Sequence, residues 1–344
     1  MWQVIGQDRI LTLLKRSIKE GSISHAYLLV GPRHVGKKTL AINLAQALNC
    51  DDIEPPCGQC HSCLAIAAGK HADVVFLDID TQLDLDNKTK QSPKTEISID
   101  DMRELHHNAN FPPYEGKYKV FIVDNTELLS SEAANSVLKI LEEPPPKVVW
   151  LLLASEERHL LPTITSRCQR LELKPMPLEP MQQELVVNHN LDTNKAALLA
   201  RLSHGCLGWA LSAVRDEELL KQRSSRIAKL SSLISGDMEE RFAYAQGLAA
   251  QFSQDRRSIA EATATWFDWW RDLMLTKSNC KRYITNIDYE MTLAEQAETL
   301  TLSEIKDFLD KLRLINEEIH RNVNPRLAFE WLMLNLPRRE VINA

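Results

Sequence analysis

The sequence predicts a parallel α/β domain over residues 1–175, followed by helical structure to residue 344. Three observations carry this reading. Short apolar runs bounded by turn residues alternate with helical stripes through the first half of the chain. One of those runs feeds a glycine-rich loop of the phosphate-binding type, and a proline-rich stretch then ends the alternation. Strands that alternate with helices pair in parallel, with helices covering both faces of the sheet.

Ala26–Val30 is an apolar run that ends at Gly31, the pattern of a buried strand entering a turn. Lys37 to Asn49 places Leu40, Leu44, Ala47 and Leu48 on a helical stripe. Asp73–Leu77, Lys119–Asp124 and Val148–Ser155 read as further strands. Residues 80–96 are polar and poor in core formers, and are expected to form a mobile surface loop. Lys174-Pro-Met-Pro-Leu-Glu-Pro180 continues neither strand nor helix and marks a domain boundary. A small helical segment is expected over 176–217 and a longer helical domain over 218–344. In the latter, Trp266, Phe267, Trp269 and Trp270 read as one core cluster. Leu300, Leu302, Ile305, Phe308, Leu309, Leu312 and Ile315 form an apolar helical stripe. There is no internal repeat.

The bulk numbers exclude several classes. A chain of 344 residues can hold two or three domains, and 44% apolar with 26% charged residues is ordinary for a soluble globular protein. The net charge of −6 provides no global field toward nucleic acid, so any DNA contact must come from a local patch or an assembly. The start, Met-Trp-Gln-Val-Ile-Gly-Gln-Asp, lacks the pattern of a secretory signal. The longest strongly apolar stretch, Val148 to Ala154, is too short to cross a bilayer, so no membrane role is expected. Seven cysteines in this context point to reduced thiols or metal rather than disulfides, and to a cytoplasmic setting.

Gly31-Pro-Arg-His-Val-Gly36-Lys37-Lys38-Thr39 has the spacing of a phosphate loop. Its glycines let successive N–H groups face phosphate oxygens, and the helix that follows adds its positive end. Two residues are wrong for hydrolysis. The magnesium-holding hydroxyl should follow Lys37; Lys38 stands there instead, with Thr39 one place late and turned by about 100°. Asp124 ends its strand as the magnesium-side carboxylate should, but the next residue is Asn125, which cannot accept a proton from water. Glu127 is expected to face elsewhere. ATP or ADP binding without turnover stays open.

Cys50, Cys57, Cys60 and Cys63 follow the helix of the phosphate loop. Two Cys-x2-Cys turns sharing Cys60, with Cys50 at loop distance, can supply four thiolates to a closed, structural zinc site at 50–63. His61 is the alternative fourth ligand. Cys168, Cys206 and Cys280 lack such grouping and read as packing residues. Read alone, Arg167 in Thr165-Ser166-Arg167-Cys168 is an ordinary solvated or ion-paired arginine.

Together these stretches resemble the clamp-loader branch of the AAA+ proteins, subunits of bacterial DNA polymerase III. The resemblance is carried by Ile5-Gly-Gln7, His25-Ala-Tyr-Leu28, the phosphate loop and the cysteine module. Ala133-Ala-Asn135, Leu138-Lys139, Leu141-Glu-Glu-Pro-Pro145, Ser166-Arg167-Cys168 and Asn322-Val-Asn-Pro-Arg326 extend it over nearly the whole chain. It implies an AAA+ P-loop domain over 1–175, a helical lid over 176–217 and a collar domain over 218–344 that joins a hetero-pentameric ring. In such rings, which also contain delta, the motor subunits bind and hydrolyse ATP to open the sliding clamp and place it on primed DNA. The whole belongs to a DNA-directed DNA polymerase holoenzyme, a nucleotidyltransferase. A stator subunit presents the Ser-Arg-Cys arginine, here Arg167, to the nucleotide of an adjacent motor. The resemblance also places Ser155 at the polar sensor position and Gly208 where motor subunits carry a lid arginine. An active motor ATPase would want Ser or Thr at 38 and Glu at 125. A small-molecule kinase would want an acceptor pocket and lid arginines, which the cysteine module and helical C-terminal half do not suggest.

Overall fold

A computed structural model describes residues 1–79, 96–254, 256–319 and 323–338. The loop read over 80–96 lies outside these residues except for its last member, as does Asn322. The chain divides into two compact units, Met1–Pro177 with Gly205–Trp209, and Leu178–His204 with Ala210–Ala344.

The first unit opens with helix α1 (Asp8–Glu20), strand β1 (Ala26–Val30), α2 (Lys37–Asn49), α3 (His61–Ala67) and β2 (Val74–Leu77). It continues through α4 (Ile99–Ala109), β3 (Lys119–Val123), α5 (Ser131–Glu142), β4 (Val148–Ala154), the single turn α6 (Pro162–Thr165) and β5 (Gln169–Glu172). The five strands form one sheet in the order β2-β3-β4-β1-β5, and every neighbouring pair is parallel. β1, β3 and β4 are buried at every residue, which is why they read as unbroken apolar runs rather than alternating ones. Alternate residues still serve opposite cores. Leu29, Ile122 and Leu151 pack with Leu14, Leu40 and Leu44 on one face. Leu28, Phe121 and Leu152 pack with Met102 and Val137 on the other. Phe121 and Trp150 stack across neighbouring strands with ring centroids 4.4 Å apart.

Three boundaries and one strand differ from the sequence reading: β2 begins at Val74 rather than Asp73. β3 and β4 end one residue early, so Asp124 and Ser155 are the first residues beyond the carboxyl edge of the sheet. β5 has no apolar run to announce it. Only Leu171 of Gln169–Glu172 is buried, and Arg170 bonds Glu157 and Glu172 along the edge. Such a strand is held by pairing to β1 rather than by burial on both faces.

The second unit holds α7 (Leu178–Val187), α8 (Thr193–Leu202), most of α9 (Leu207–Arg215) and α10 (Glu218–Ser235). It then runs through α11 (Met238–Gln254), α12 (Arg256–Lys277), α13 (Glu290–Thr299), α14 (Leu302–Ile319) and α15 (Pro325–Leu334). Trp266, Trp269 and Trp270 are buried in its core, but Phe267 is 43% exposed and does not belong to the expected cluster. One helix cannot turn four residues within a five-residue span to the same side. Of the stripe from Leu300 to Ile315, all are core except Leu302, which is exposed. Fully buried Arg241 donates to the carbonyls of Leu233, Ile234, Leu336 and Pro337, tying the end of α10 to the segment after α15. Among the described residues no helix is long and apolar enough to cross a membrane.

Candidate functional site

The sheet order inserts β4 between β1 and β3. The loop after β1, Ser155 after β4 and Asp124 after β3 therefore line up along one edge, where open parallel sheets bind their ligands. Thr126 closes this edge locally by donating to the carbonyls of Val123 and Leu153.

Gly31 takes φ +158°, and a Cβ there would lie 2.5 Å from the Leu173 carbonyl, so the loop can leave the sheet only through glycine. Gly36 caps α2 with φ +108°. Lys37 is buried, and its ammonium donates to the carbonyls of Gly31 (2.6 Å) and Pro32 (3.0 Å). Burial pushes its pKa down, while the charges of Asp124 and Glu127 oppose that shift. Lys38 turns outward and sets its ammonium 4.0 Å above the Phe76 ring. Thr39 is half-buried on α2. Asp124 accepts from the Asn125 amide at 2.9 Å, and burial raises its carboxyl above the ordinary range. Asn125 sits in the left-handed region at φ +51° and donates to Asp78 at 3.3 Å.

Glu127 departs from expectation. Its Oε1 accepts from the Ser155 amide at 3.1 Å, so it faces this edge rather than away from it. A left-handed residue and a short 3-10 turn over Thr126–Leu128 redirect the chain after β3, and an extended-strand reading could not anticipate that turn. The position read as a missing lid arginine has a steric cause as well. Gly208 donates its N–H to the His34 carbonyl at 3.0 Å, and a Cβ on Gly208 would lie 2.7 Å from that same oxygen. Any side chain at 208 collides with the phosphate loop while this contact holds. Cys206 packs in the core beside it.

Arg167 lies on the rim. Pro162 starts α6, buried Ile164 anchors it, and Arg167 N–H donates to the Ile164 carbonyl at 3.1 Å. The guanidinium donates through Nη2 to Glu142 Oε1 at 2.8 Å and through Nη1 to the Thr163 carbonyl at 3.1 Å. Its side chain is 36% exposed.

The four cysteines converge. Their Sγ atoms all lie within 4.8 Å of one another, with Cys57–Cys63 at 4.0 Å and Cys50–Cys60 at 3.9 Å. A tetrahedral zinc with ligands at about 2.3 Å needs sulfurs about 3.8 Å apart, so this donor set fits. Cys50 is within reach, which removes the need for His61. The ends of α2 and α3 place the ligands. Backbone amides of Asp52 and Cys57 donate to Cys50 Sγ, and those of Gln59 and Cys60 donate to Cys57 Sγ. These donors favour thiolate, and they pull Cys57 down to about 6. Burial pushes Cys63 the other way, up to about 12. The cluster could hold one metal ion with no open position.

Fold and site define the class first: an α/β domain with a glycine-bounded loop after β1, in whose parallel sheet β4 separates β1 from β3, and a second, largely helical unit. Residues 6–177 match the family described as "DNA polymerase III, delta subunit", and the chain belongs to that family, in the clamp-loader branch to which its motifs pointed. Among curated relatives it is 29% identical to the Escherichia coli protein named DNA polymerase III subunit tau, over 96% of this chain and 52% of that one. It is 26% identical to the Bacillus subtilis protein of the same name, over 97% of this chain and 60% of that one. The chain thus spans about half the length of the curated relatives it matches. A solved gamma-subunit-related protein from Thermotoga maritima aligns over 96% of this chain and 99% of its own, at 20% identity and a TM-score of 0.43.

Proposed function

We propose that this chain is a non-motor subunit of the bacterial replicative clamp loader, of the delta-prime type, that completes a neighbour's ATPase site with Arg167. Its partners are then motor ATPase subunits and delta in a hetero-pentameric ring, together with the sliding clamp and, through the assembly, primed DNA. The helical lid over 176–217 and the collar over 218–344 serve that assembly. Zn2+ at Cys50, Cys57, Cys60 and Cys63 is structural.

The observation that carries this reading is the contrast between two positions. The phosphate loop is bonded to its own chain: Lys37 to Gly31 and Pro32, His34 to Gly208. Lys38 and Asn125 stand where a magnesium hydroxyl and a water-activating carboxylate are needed. Arg167, by contrast, keeps its guanidinium at the surface. A site that does not turn over ATP beside an accessible arginine suits a subunit that acts on a neighbour's nucleotide. ATP or ADP, if bound here, has a structural role only.

The test is the DNA- and clamp-stimulated ATPase rate of the reconstituted ring carrying this chain unaltered or as Arg167→Ala. Loss of an arginine finger costs about 10³-fold or more in rate. The expected result is a collapse of that order with the ring still assembled; an unchanged rate removes Arg167 from the chemistry. The names tau and gamma among the relatives favour a second reading, a motor-type subunit that hydrolyses ATP itself. That reading has to explain Lys38 and Asn125.

A further inference from the structure

We propose that Glu142 is the positioning residue for Arg167: its carboxylate holds the guanidinium at the rim in the orientation used on an adjacent subunit's nucleotide. The proposal rests on the reading of Arg167 given above, and names a second residue through which that reading works.

Glu142 is the last residue of α5, and the helix stops there for a local reason. Pro144, Pro145 and Pro146 follow, and proline can neither donate to nor pack within a continuing helix. The other end is pinned by Ser130, whose hydroxyl accepts from the Ala133 amide. Between them Ala133, Val137, Ile140 and Leu141 bury the helix against the sheet. Glu142 therefore projects from a rigid terminus. Arg167 is fixed from its own side by the tight turn that closes α6. Two packed elements thus each present one side chain to the 2.8 Å bond from Arg167 Nη2 to Glu142 Oε1.

The pattern of donors separates positioning from sequestration. Arg170 lies three residues on and bonds two carboxylates, Glu157 at 2.6 Å and Glu172 at 3.0 Å. Arg167 bonds one carboxylate through one nitrogen, and Nη1 rests on the Thr163 carbonyl. Nη1 also reaches Ser166 Oγ at 3.5 Å, whereas Nε–H has no partner among the described residues and Nη2 carries a second hydrogen. A guanidinium has five N–H donors in a planar fork. The Glu142 and Thr163 contacts therefore fix the plane of the fork while leaving donors for phosphate oxygens. An arginine without Glu142 would have to find that plane from many rotamers at each turnover. A side chain displaced by about 1 Å at a reacting centre loses on the order of a hundredfold in rate.

The experiment is a double-mutant cycle in the reconstituted ring, reading kcat and KM for ATP with clamp and primed DNA present. Its members are unaltered protein, Glu142→Ala, Arg167→Ala and the pair together, with Glu142→Gln as the variant that keeps side-chain length. Ring assembly is checked for each by size-exclusion chromatography. We expect Glu142→Ala to lower kcat about ten- to a hundredfold with KM unchanged, and Glu142→Gln to fall between. In the Arg167→Ala background, Glu142→Ala should cost nothing further, because its effect passes through the arginine. If Arg167→Ala collapses the rate while Glu142→Ala leaves it intact, this proposal fails and the reading of Arg167 stands. An equal loss in both backgrounds would make Glu142 merely structural, and a faster rate in Glu142→Ala would make the pair a restraint; either overturns positioning. An unchanged rate in Arg167→Ala overturns the underlying reading and this proposal with it.

Discussion

Lys37, Lys38 and Asn125 show how a loop can keep the backbone shape of a phosphate-binding motif while carrying other side chains. Gly31 and Gly36 still bend the backbone as a phosphate loop requires, so the lysine between sheet and helix is drawn inward. There its ammonium bonds main-chain carbonyls, and Lys38 lies over Phe76. These substitutions were legible because spacing alone decides which residue faces the site. The Glu127–Ser155 bond was not legible, since it depends on a left-handed turn at Asn125. The cysteine quartet was legible for the opposite reason: thiol chemistry at that spacing has few other uses. One zinc per chain is expected on metal analysis of the purified protein, and a Cys57→Ser, Cys60→Ser variant should lose it. Full zinc content in that variant would disprove the ligand set.

Elements built on apolar runs were readable; elements held by pairing or by polar bonds were not. β1, β3 and β4 announce themselves because helices cover both faces of the sheet. β5 is a short edge strand of mostly polar residues, visible only once β1 is beside it. The end of α8 gives a titratable example. His204, just beyond Leu202, bonds Asp268 of α12 through Nε2 at 2.9 Å. That bond raises the imidazole pKa against the effect of burial; the charge of Asp268 adds to it, Arg271 opposes it and Asp272 supports it. A pKa raised in the folded state stabilises the fold fully below the unfolded value, about 6.5, and the gain is lost as pH rises through the folded value. Replacing His204 with Asn, which tolerates the left-handed backbone found there at φ +48°, should therefore lower stability more at pH 6 than at pH 8.5. The pair is half-exposed, so the difference should be about 1 kcal/mol or less. Urea midpoints at the two values measure it; an equal loss at both would show that the charge on His204 contributes nothing.

At the scale of the whole molecule, a subunit that completes another's site should be inactive alone. The isolated chain is expected to hydrolyse ATP no faster than the buffer background, with or without DNA. Sustained magnesium-dependent turnover by the isolated chain would favour the motor reading instead. By itself the sequence disclosed an α/β part followed by a largely helical part, a cysteine quartet, a phosphate-loop pattern carrying Lys38, and Arg167 within Ser-Arg-Cys. Each of these depends on residue type and on spacing within a few positions, so backbone geometry close by is enough to interpret them. Only the tertiary structure decided which distant groups meet. The sheet order sets Ser155 between the phosphate loop and Asp124. Gly208 rests on His34 from more than a hundred residues away, and the proline-terminated end of α5 brings Glu142 to Arg167. Such contacts depend on how strands pair and where helices stop against them, and no local pattern of residues encodes that juxtaposition.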